Sequence, residues 1–268
     1  MDKTAKLMTA TKSFVFCTGL NKENLLAKII EIGKNIAAVI LPHSSLREER
    51  LYEVIKVAKS AEIPVLRPKQ ADLEGVLKST GADTLVSAGY PYLFKPGALS
   101  VCRYNINIHP SLLPKYRGPA ATWYILANGE TEGGVTVHFI DQGMDTGNIL
   151  TQGKFPLGPF DTIKSYMRKA AELEPLLLQA AIAELDRGET SGITQDEQRA
   201  SSYPGRRSWQ DSEFDPSLSV SELYNFIRAC DAERFPAFFK IDGQRVGVKL
   251  FRPDKPDKPD MPDDDDLI

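Results

Sequence analysis

The sequence is poor in cysteine and has no long hydrophobic run. Its three cysteines, Cys17, Cys102 and Cys230, form an odd set without Cys-x-x-Cys spacing, which argues against a disulfide framework and against a zinc site. No run approaches the roughly 18 apolar residues of a membrane helix. The polar, charged start of the chain also lacks the apolar core of a signal peptide. We therefore expect a cytoplasmic protein with no metal and no membrane partner.

The chain also lacks an excess of charge and two common catalytic signatures. Its formal net charge is −3, which gives no general attraction to nucleic acid or acidic membranes. It contains no Gly-x-Gly-x-x-Gly for a dinucleotide and no Gly-x-Ser-x-Gly for a serine nucleophile. With 268 residues, 42% of them hydrophobic, the chain can hold one main domain and an appendage.

What the sequence does have is an alternation of strand and helix patterns. Apolar runs typical of buried strands occupy residues 13–19, 36–41, 63–66 and 84–87, and helical patterns separate them. This alternation predicts βαβ units and a mostly parallel sheet. We predict an α/β, Rossmann-like catalytic domain over residues 1–190.

The composition changes after this domain. Residues 191–210 are polar and typical of a linker. Residues 211–252 carry an amphipathic helix and a hairpin with an Asp-Gly turn, which predicts a small C-terminal α+β appendage. Residues 253–268 are rich in proline and aspartate, which predicts a poorly ordered acidic tail.

Helix ends carry their own signals. Asn21 is the predicted N-cap of the first helix, and the second helix is expected over residues 46–61. Thr162 is the predicted N-cap of a long helix that Pro175 kinks or breaks.

The densest polar signal lies within residues 104–118. If residues 104–109 form a strand, Asn107 and His109 share one face of it, and Pro110 ends it. Both side chains then lie at the carboxyl end of a strand, where open α/β sheets bind their ligands.

A second segment, residues 139–149, has a tight loop between two apolar runs. The loop holds two acids, Asp141 and Asp145, either of which would deliver a carboxylate to the same edge of the sheet. An amide, an imidazole and a carboxylate suit acyl transfer to an amine that attacks directly. The other histidines, His43 and His138, are interpreted as structural or exposed.

These residues resemble a known family. Folate-dependent formyltransferases carry an Asn-x-His-Pro-Ser-Leu-Leu-Pro signature and a later loop that ends in Asp-x-Gly. The two motifs stand here at residues 107–114 and 145–147. The resemblance covers residues 13–185 and, more weakly, the region after residue 201. It places the family's carboxylate on Asp145, with Asp141 as a cap of the loop.

The resemblance implies a mechanism with Asn107, His109 and Asp145 as catalytic residues. A neutral amine attacks the formyl carbon of N10-formyltetrahydrofolate, and Asn107 and His109 stabilise the oxyanion. Asp145 keeps His109 in a useful protonation state and helps to relay the amine proton. Since the folate supplies the one-carbon chemistry, no metal is implied.

The resemblance also implies two sets of binding residues. The pterin is expected at an aromatic loop and at the aspartate loop, on Gly89, Tyr90, Pro91, Tyr92, Leu93, Asp141 and Gly143. Acceptor contacts are expected just after the catalytic strand, on Ser111, Lys115, Tyr116 and Arg117. The alternative for the last three is a solvated loop in which Arg117 makes a structural ion pair.

Among family members, the chain most resembles nucleotide-sugar N-formyltransferases. These have a small C-terminal region that often begins with a Tyr-x-x-Arg-Arg-like segment, here residues 203–207, and that often lies in a homodimer contact. The implied acceptor is an amino group on a nucleotide-linked sugar used for a surface polysaccharide.

Three alternatives fit less well. Methionyl-tRNA formyltransferases carry a basic insertion after the second strand, whereas residues 42–50 hold no such cluster, so a nucleic-acid partner is expected only in this alternative. Glycinamide ribonucleotide formyltransferases have a Gly-Ser-Asn loop where this chain has Gly19-Leu20-Asn21. A formyl-folate hydrolase would have an N-terminal regulatory domain, which this sequence lacks.

Overall fold

The computed structural model describes residues 13–44, 48–189, 191–203 and 205–251. The chain divides into two compact units, one ending at Asn107 and the other beginning at Ile108. The predicted acidic tail, the polar start of the chain and the predicted first residues of the second helix lie outside the described residues. The domain boundaries expected at residues 190 and 210 stay predictions.

The first unit alternates strands and helices. Its strands are β1 (Ser13–Thr18), β2 (Asn35–Ile40), β3 (Val65–Leu66), β4 (Thr84–Ala88) and β5 (Tyr104–His109), the last two residues of which belong to the second unit. Its helices are α1 (Glu23–Glu31), α2 (Tyr52–Ser60), α3 (Leu73–Thr80) and α4 (Pro96–Leu99), with a 3-10 helix at Glu48–Leu51. The strand order is β3-β2-β1-β4-β5, and β1 pairs with β2 and with β4, and β2 with β3, all in parallel.

Burial explains why these strands form a parallel sheet. In β1 every residue after Ser13 is buried, and β4 is buried throughout. Continuous burial is the pattern of strands whose two faces are both covered by helices. The predicted α/β class with a mostly parallel sheet is confirmed.

The second unit carries the longest helix and the appendage. Its elements are α5 (Ala121–Ala127), β6 (Glu132–Phe139), β7 (Ile149–Pro156), α6 (Ile163–Asp186), α7 (Val220–Ala229), β8 (Ala237–Ile241) and β9 (Gln244–Val248), with 3-10 helices at Glu197–Arg199 and Trp209–Ser212. Strands β6 and β7 are antiparallel, as are β8 and β9. In the β8–β9 turn Asp242 and Gly243 both have positive φ, which suits a two-residue hairpin. Among the described residues, no helix combines the length and the apolarity that a membrane crossing requires.

Two predicted helix signals behave differently in the structure. Lys22 stands at the N-cap of α1, because the first backbone hydrogen bonds of the helix end on its carbonyl, and the Asn21 side-chain oxygen accepts a hydrogen bond from the Glu53 N–H at 3.1 Å. Helix α6 begins at the predicted cap, Thr162, but it runs through Pro175 without a break. Buried residues on both sides of the proline pack the helix against β6 and β7, and this packing outweighs the lost backbone hydrogen bond.

Candidate active site

His109 lies buried at the carboxyl end of β5, where Pro110 ends the strand. Its Nε2 atom is 2.8 Å from the Tyr116 carbonyl oxygen. Its Nδ1 atom is 3.5 Å from Oδ2 of Asp145. The imidazole is therefore held between two hydrogen-bond acceptors, a backbone carbonyl on one side and a carboxylate on the other.

Asp145 is the centre of this group. Its backbone has a φ of 57°, a left-handed conformation that aspartate tolerates better than most residues. Oδ2 accepts a hydrogen bond from the Gly118 N–H at 2.8 Å, and Oδ1 is 3.5 Å from Nε2 of His138. The carboxylate thus faces two imidazoles and one backbone amide.

His138 completes the arrangement from β6. It is 2% exposed, and its Nδ1 atom is 2.8 Å from the Phe139 carbonyl oxygen. The expectation that His138 is structural or exposed missed this contact with the loop carboxylate. The sequence does contain a signal: Thr136 and His138 alternate with the apolar residues 135, 137 and 139, so they share one face of β6.

These surroundings set the charge of the carboxylate. Burial raises the pKa of Asp145, but the His109 ring, the His138 ring and the Gly118 N–H outweigh burial and hold the pKa well below its ordinary value of 3.8. Asp145 is therefore ionised across the physiological range.

An ionised carboxylate beside His109 allows proton transfer. A neutral imidazole has a single N–H and donates to one acceptor, whereas an imidazolium donates to two. Since His109 has an acceptor next to each ring nitrogen, it can take up a proton and find a partner for it. This is the geometry expected of a general acid–base group whose orientation is fixed by a carboxylate.

Asn107, the third predicted catalytic residue, lies in the first unit. It is on β5 two residues before His109 and is partly exposed. On a strand this spacing puts both side chains on the same face.

The aromatic loop predicted to hold a pterin also lies in the first unit and is held in place internally. Tyr90 stacks on Phe94 with 5.2 Å between ring centroids, and Gln70 donates a hydrogen bond to the Leu93 carbonyl at 2.8 Å. Gly89 has a positive φ. Tyr92 and Leu93 are 39% and 66% exposed, so the loop presents an apolar surface to solvent.

The other predicted pterin contacts shape the aspartate loop. Oδ1 of Asp141 accepts hydrogen bonds from the Gly143 N–H at 3.0 Å and from the Thr146 hydroxyl at 2.6 Å. Asp141 is therefore a cap of the loop, whereas the carboxylate next to His109 is that of Asp145. A Cβ on Gly143 would overlap the Thr146 side chain, so the loop requires glycine there.

The residues predicted to bind the acceptor differ in their burial and in the hydrogen bonds that they already make. Ser111 is fully buried, and its hydroxyl donates to the Lys115 carbonyl at 2.9 Å. The Tyr116 hydroxyl donates to Glu130 at 2.7 Å. The Lys115 ammonium is half-exposed and 3.8 Å from the same carboxylate. Of these three, Lys115 is the side chain that can reach a ligand with least rearrangement.

Arg117 is 4% exposed and bonded to protein groups. Its guanidinium donates twice to Oε1 of Gln195, at 3.1 and 2.8 Å, and twice to the Glu197 carboxylate, at 3.0 and 2.7 Å. The contacts of Arg117 are those of the alternative, a structural ion pair, and its predicted contact with the acceptor substrate stays a prediction. Gln195 in turn donates to the carbonyls of Asp145 and Gly147.

Comparison with known sequences identifies one family. Residues 11–182 match the family described as Formyl transferase. Among curated relatives, the methionyl-tRNA formyltransferase of Synechococcus sp. (strain JA-3-3Ab) is 35% identical over 197 residues, which cover 72% of this chain and 60% of that protein. The chain thus spans about three fifths of the length of this relative.

Comparison with solved structures finds the same fold. A sugar N-formyltransferase from Shewanella sp FDAARGOS_354 matches with a TM-score of 0.72 and 15% identity, over 90% of this chain and 97% of that one. HypX from Aquifex aeolicus in complex with tetrahydrofolic acid matches with a TM-score of 0.68 and 16% identity, over 89% of this chain and 37% of that one.

Proposed function

This chain belongs to the formyl transferase family, and from that premise we propose that it transfers a formyl group from N10-formyltetrahydrofolate to an amine. The observation that carries the proposal is the placement of His109. It stands between the Asp145 carboxylate and the Tyr116 carbonyl at the end of β5, two residues after Asn107. A buried imidazole with an acceptor next to each nitrogen suits the movement of one proton during acyl transfer.

The residues divide the work as follows. The Asn107 amide donates to the oxygen that gains negative charge, a type of stabilisation that contributes about 3 to 4 kcal/mol per donor. His109 accepts or passes on the proton that the attacking amine loses, and Asp145 holds the ring in orientation. The folate supplies the electrophilic formyl carbon when it is bound.

The first unit has a surface that fits a folate ring. A pterin is flat and largely apolar on its faces, and the loop at Tyr92 and Leu93 exposes apolar side chains on a backbone held by internal contacts. A preformed apolar surface of this kind suits a cofactor site. The solved structure of HypX contains tetrahydrofolic acid on the same fold, which supports a folate donor for this chain.

For the acceptor we propose the amino group of a nucleotide-linked sugar. The shared fold with the Shewanella sugar N-formyltransferase extends over 90% of this chain, beyond the region that matches the family. The net charge of −3 gives no general attraction to a polyanion such as tRNA. A role in polysaccharide biosynthesis and a homodimer stay predictions.

Methionyl-tRNA is the second candidate acceptor. It is favoured by the 35% identity to the methionyl-tRNA formyltransferase of Synechococcus sp. (strain JA-3-3Ab), a higher identity than to the sugar enzyme.

The test is an assay of the purified protein with 10-formyltetrahydrofolate and a panel of acceptors. The panel contains dTDP-, GDP- and UDP-linked amino sugars, methionyl-tRNA, and buffer alone. A formyl mass increase on an amino sugar, together with release of tetrahydrofolate, would support the proposal. Formylation of methionyl-tRNA alone would assign the second candidate, and folate release in buffer alone would show a hydrolase. His109→Ala is the control variant, and full turnover by it would contradict the assigned site.

A further inference from the structure

The two residues that contact the ring nitrogens of His109 share an uncommon backbone conformation. Tyr116, whose carbonyl faces Nε2, has a φ of 61°, and Asp145, whose carboxylate faces Nδ1, has a φ of 57°. For a residue other than glycine this left-handed region is disfavoured, because the Cβ atom crowds the backbone. Such conformations persist where neighbouring groups hold them, and the surroundings of both residues identify those groups.

Gln195 forms hydrogen bonds with the backbone of the loop that carries Asp145. The Gln195 side chain is 5% exposed, and its Nε2 atom donates to the Asp145 carbonyl at 2.9 Å and to the Gly147 carbonyl at 2.7 Å. These two carbonyls belong to Asp145 itself and to the residue two positions after it, so both bonds hold the backbone from which the carboxylate extends. The amide oxygen of Gln195 accepts from the buried guanidinium of Arg117, so the orientation of the amide is fixed.

Tyr116 is held by the same stretch of chain. The Tyr116 N–H donates to the Ser201 hydroxyl at 2.9 Å, and the Arg117 N–H donates to the Ser201 carbonyl at 2.9 Å. The Tyr203 N–H donates to the Arg117 carbonyl at 2.8 Å. Residues 195–203, which we name the bracing segment, therefore bond to both left-handed residues.

We propose that Gln195 is a positioning residue, which sets the orientation of His109 by bracing the Asp145 turn. The inference rests on the proposed function for its kinetic consequence but not for its structural one. Ordinary packing would explain a buried glutamine anywhere in the unit. It would not explain why both N–H donors of Gln195 bond to the backbone of the loop that carries Asp145. Nor would it explain why the same bracing segment also bonds to Tyr116, on the other side of the His109 ring.

Gln195→Glu tests this role most directly, because it removes the N–H donors and keeps an acceptor for Arg117. The introduced carboxylate can still pair with Arg117, so the buried guanidinium keeps a partner and we expect the variant to fold. The variant loses both N–H donors and places an anionic oxygen against two carbonyls. We expect kcat to fall roughly 10- to 100-fold, as for residues that orient catalytic groups, with KM changed by less than about twofold. Gln198→Glu is the matched control, because Gln198 is exposed on the same segment; its kcat should not change.

A second measurement does not depend on activity. Long-range proton–nitrogen NMR spectra of the imidazole report which nitrogen of His109 carries the proton. In the parent protein, Nε2 should be protonated, because it is 2.8 Å from the Tyr116 carbonyl oxygen, whereas Nδ1 is 3.5 Å from the Asp145 carboxylate. In Gln195→Glu the nitrogen chemical shifts of His109 should change, whereas in Gln198→Glu they should match those of the parent protein.

The outcomes separate the two proposals. If the parent protein transfers no formyl group to any acceptor, the proposed function fails, and the NMR comparison still decides the role of Gln195. Parent-like His109 spectra in a folded Gln195→Glu variant would overturn the positioning role, as would an unchanged kcat. If Gln195→Glu does not fold, Gln195→Met replaces it: this variant removes both N–H donors to the Asp145 and Gly147 carbonyls, while Arg117 keeps its hydrogen bonds to Glu197. Parent-like His109 spectra in a folded Gln195→Met variant would overturn the inference.

Discussion

Replacing Asp145 by asparagine removes the charge at the centre of the site and changes the shape very little. In the parent protein, Oδ2 accepts from the Gly118 N–H and faces His109, while Oδ1 faces His138. An amide cannot present its NH2 group to the Gly118 N–H, so its oxygen must take the Oδ2 position and its NH2 group must face His138. Asparagine also tolerates the left-handed backbone at this position. The variant should therefore fold.

The loss of charge should lower the rate. Nδ1 of His109 faces a carboxylate in the parent protein and would face a neutral amide oxygen in Asp145→Asn, so an imidazolium loses its charged partner. A hydrogen bond to a charged group contributes about 1.5 to 3 kcal/mol, which corresponds to a rate lower by roughly 10- to 150-fold. We expect kcat to fall within that range. A kcat within about twofold of the parent value would contradict the assigned role of Asp145.

The same variant gives a stability test with a defined sign. The pKa of Asp145 in the folded protein lies below its ordinary value of 3.8. The unfolded chain therefore binds the proton more readily, and the carboxylate stabilises the fold fully above that ordinary value. This stabilisation is lost as the pH falls through the folded-state pKa. Thermal unfolding of both proteins from about pH 7 to about pH 3 should show a Tm difference that narrows as the pH falls, and a widening difference would refute the reasoning.

Three further predictions concern individual side chains. Asn107→Ala and His109→Ala should each lower kcat by roughly 10²- to 10³-fold with unchanged circular dichroism; near-normal turnover by either would remove that residue from the mechanism. His138→Phe keeps a ring but removes the nitrogen near the loop carboxylate, so carbon-13 NMR should find the pKa of that aspartate raised toward its ordinary value; an unaltered titration would show that His138 has no part in it. Gly147→Ala would place a Cβ on a backbone carbonyl of β6, whereas Gly205→Ala meets nothing within 4 Å. We expect a lower Tm for the first and a parent-like Tm for the second, and equal values would contradict the steric argument.

Local signals were sufficient for the elements that carry the site. The strand predicted over residues 104–109 is observed as Tyr104–His109, because a proline that cannot donate to the ladder follows an alternating apolar run. The N-cap at Thr162 is also observed, with a hydrogen bond from the Ser165 N–H. Both features depend on residues within a few positions of each other, which a sequence displays directly.

Other features depended on contacts that no local pattern displays. Asn21 has the right side chain for an N-cap, but its oxygen bonds to Glu53 in another element. His138 gains its place at the site through the carboxylate of a loop that follows its strand. A short polar residue or a histidine offers the same sequence signal in either environment, so the partner that decides its role becomes visible only once the chain is folded.

The bracing segment shows how far the supporting structure extends beyond the motif residues. The match to the family ends at residue 182, and the catalytic domain was expected to end at residue 190. Yet the hydrogen bonds that hold Tyr116 and Asp145 in their left-handed conformations come from Ser201 and Gln195. A unit that stopped at residue 190 would keep every motif residue but would leave Tyr116 and Asp145, the two residues that contact the His109 ring, without these partners. The linker expected over residues 191–210 stays a prediction, but the polar side chains of this segment include donors and acceptors that bond to the backbone around His109.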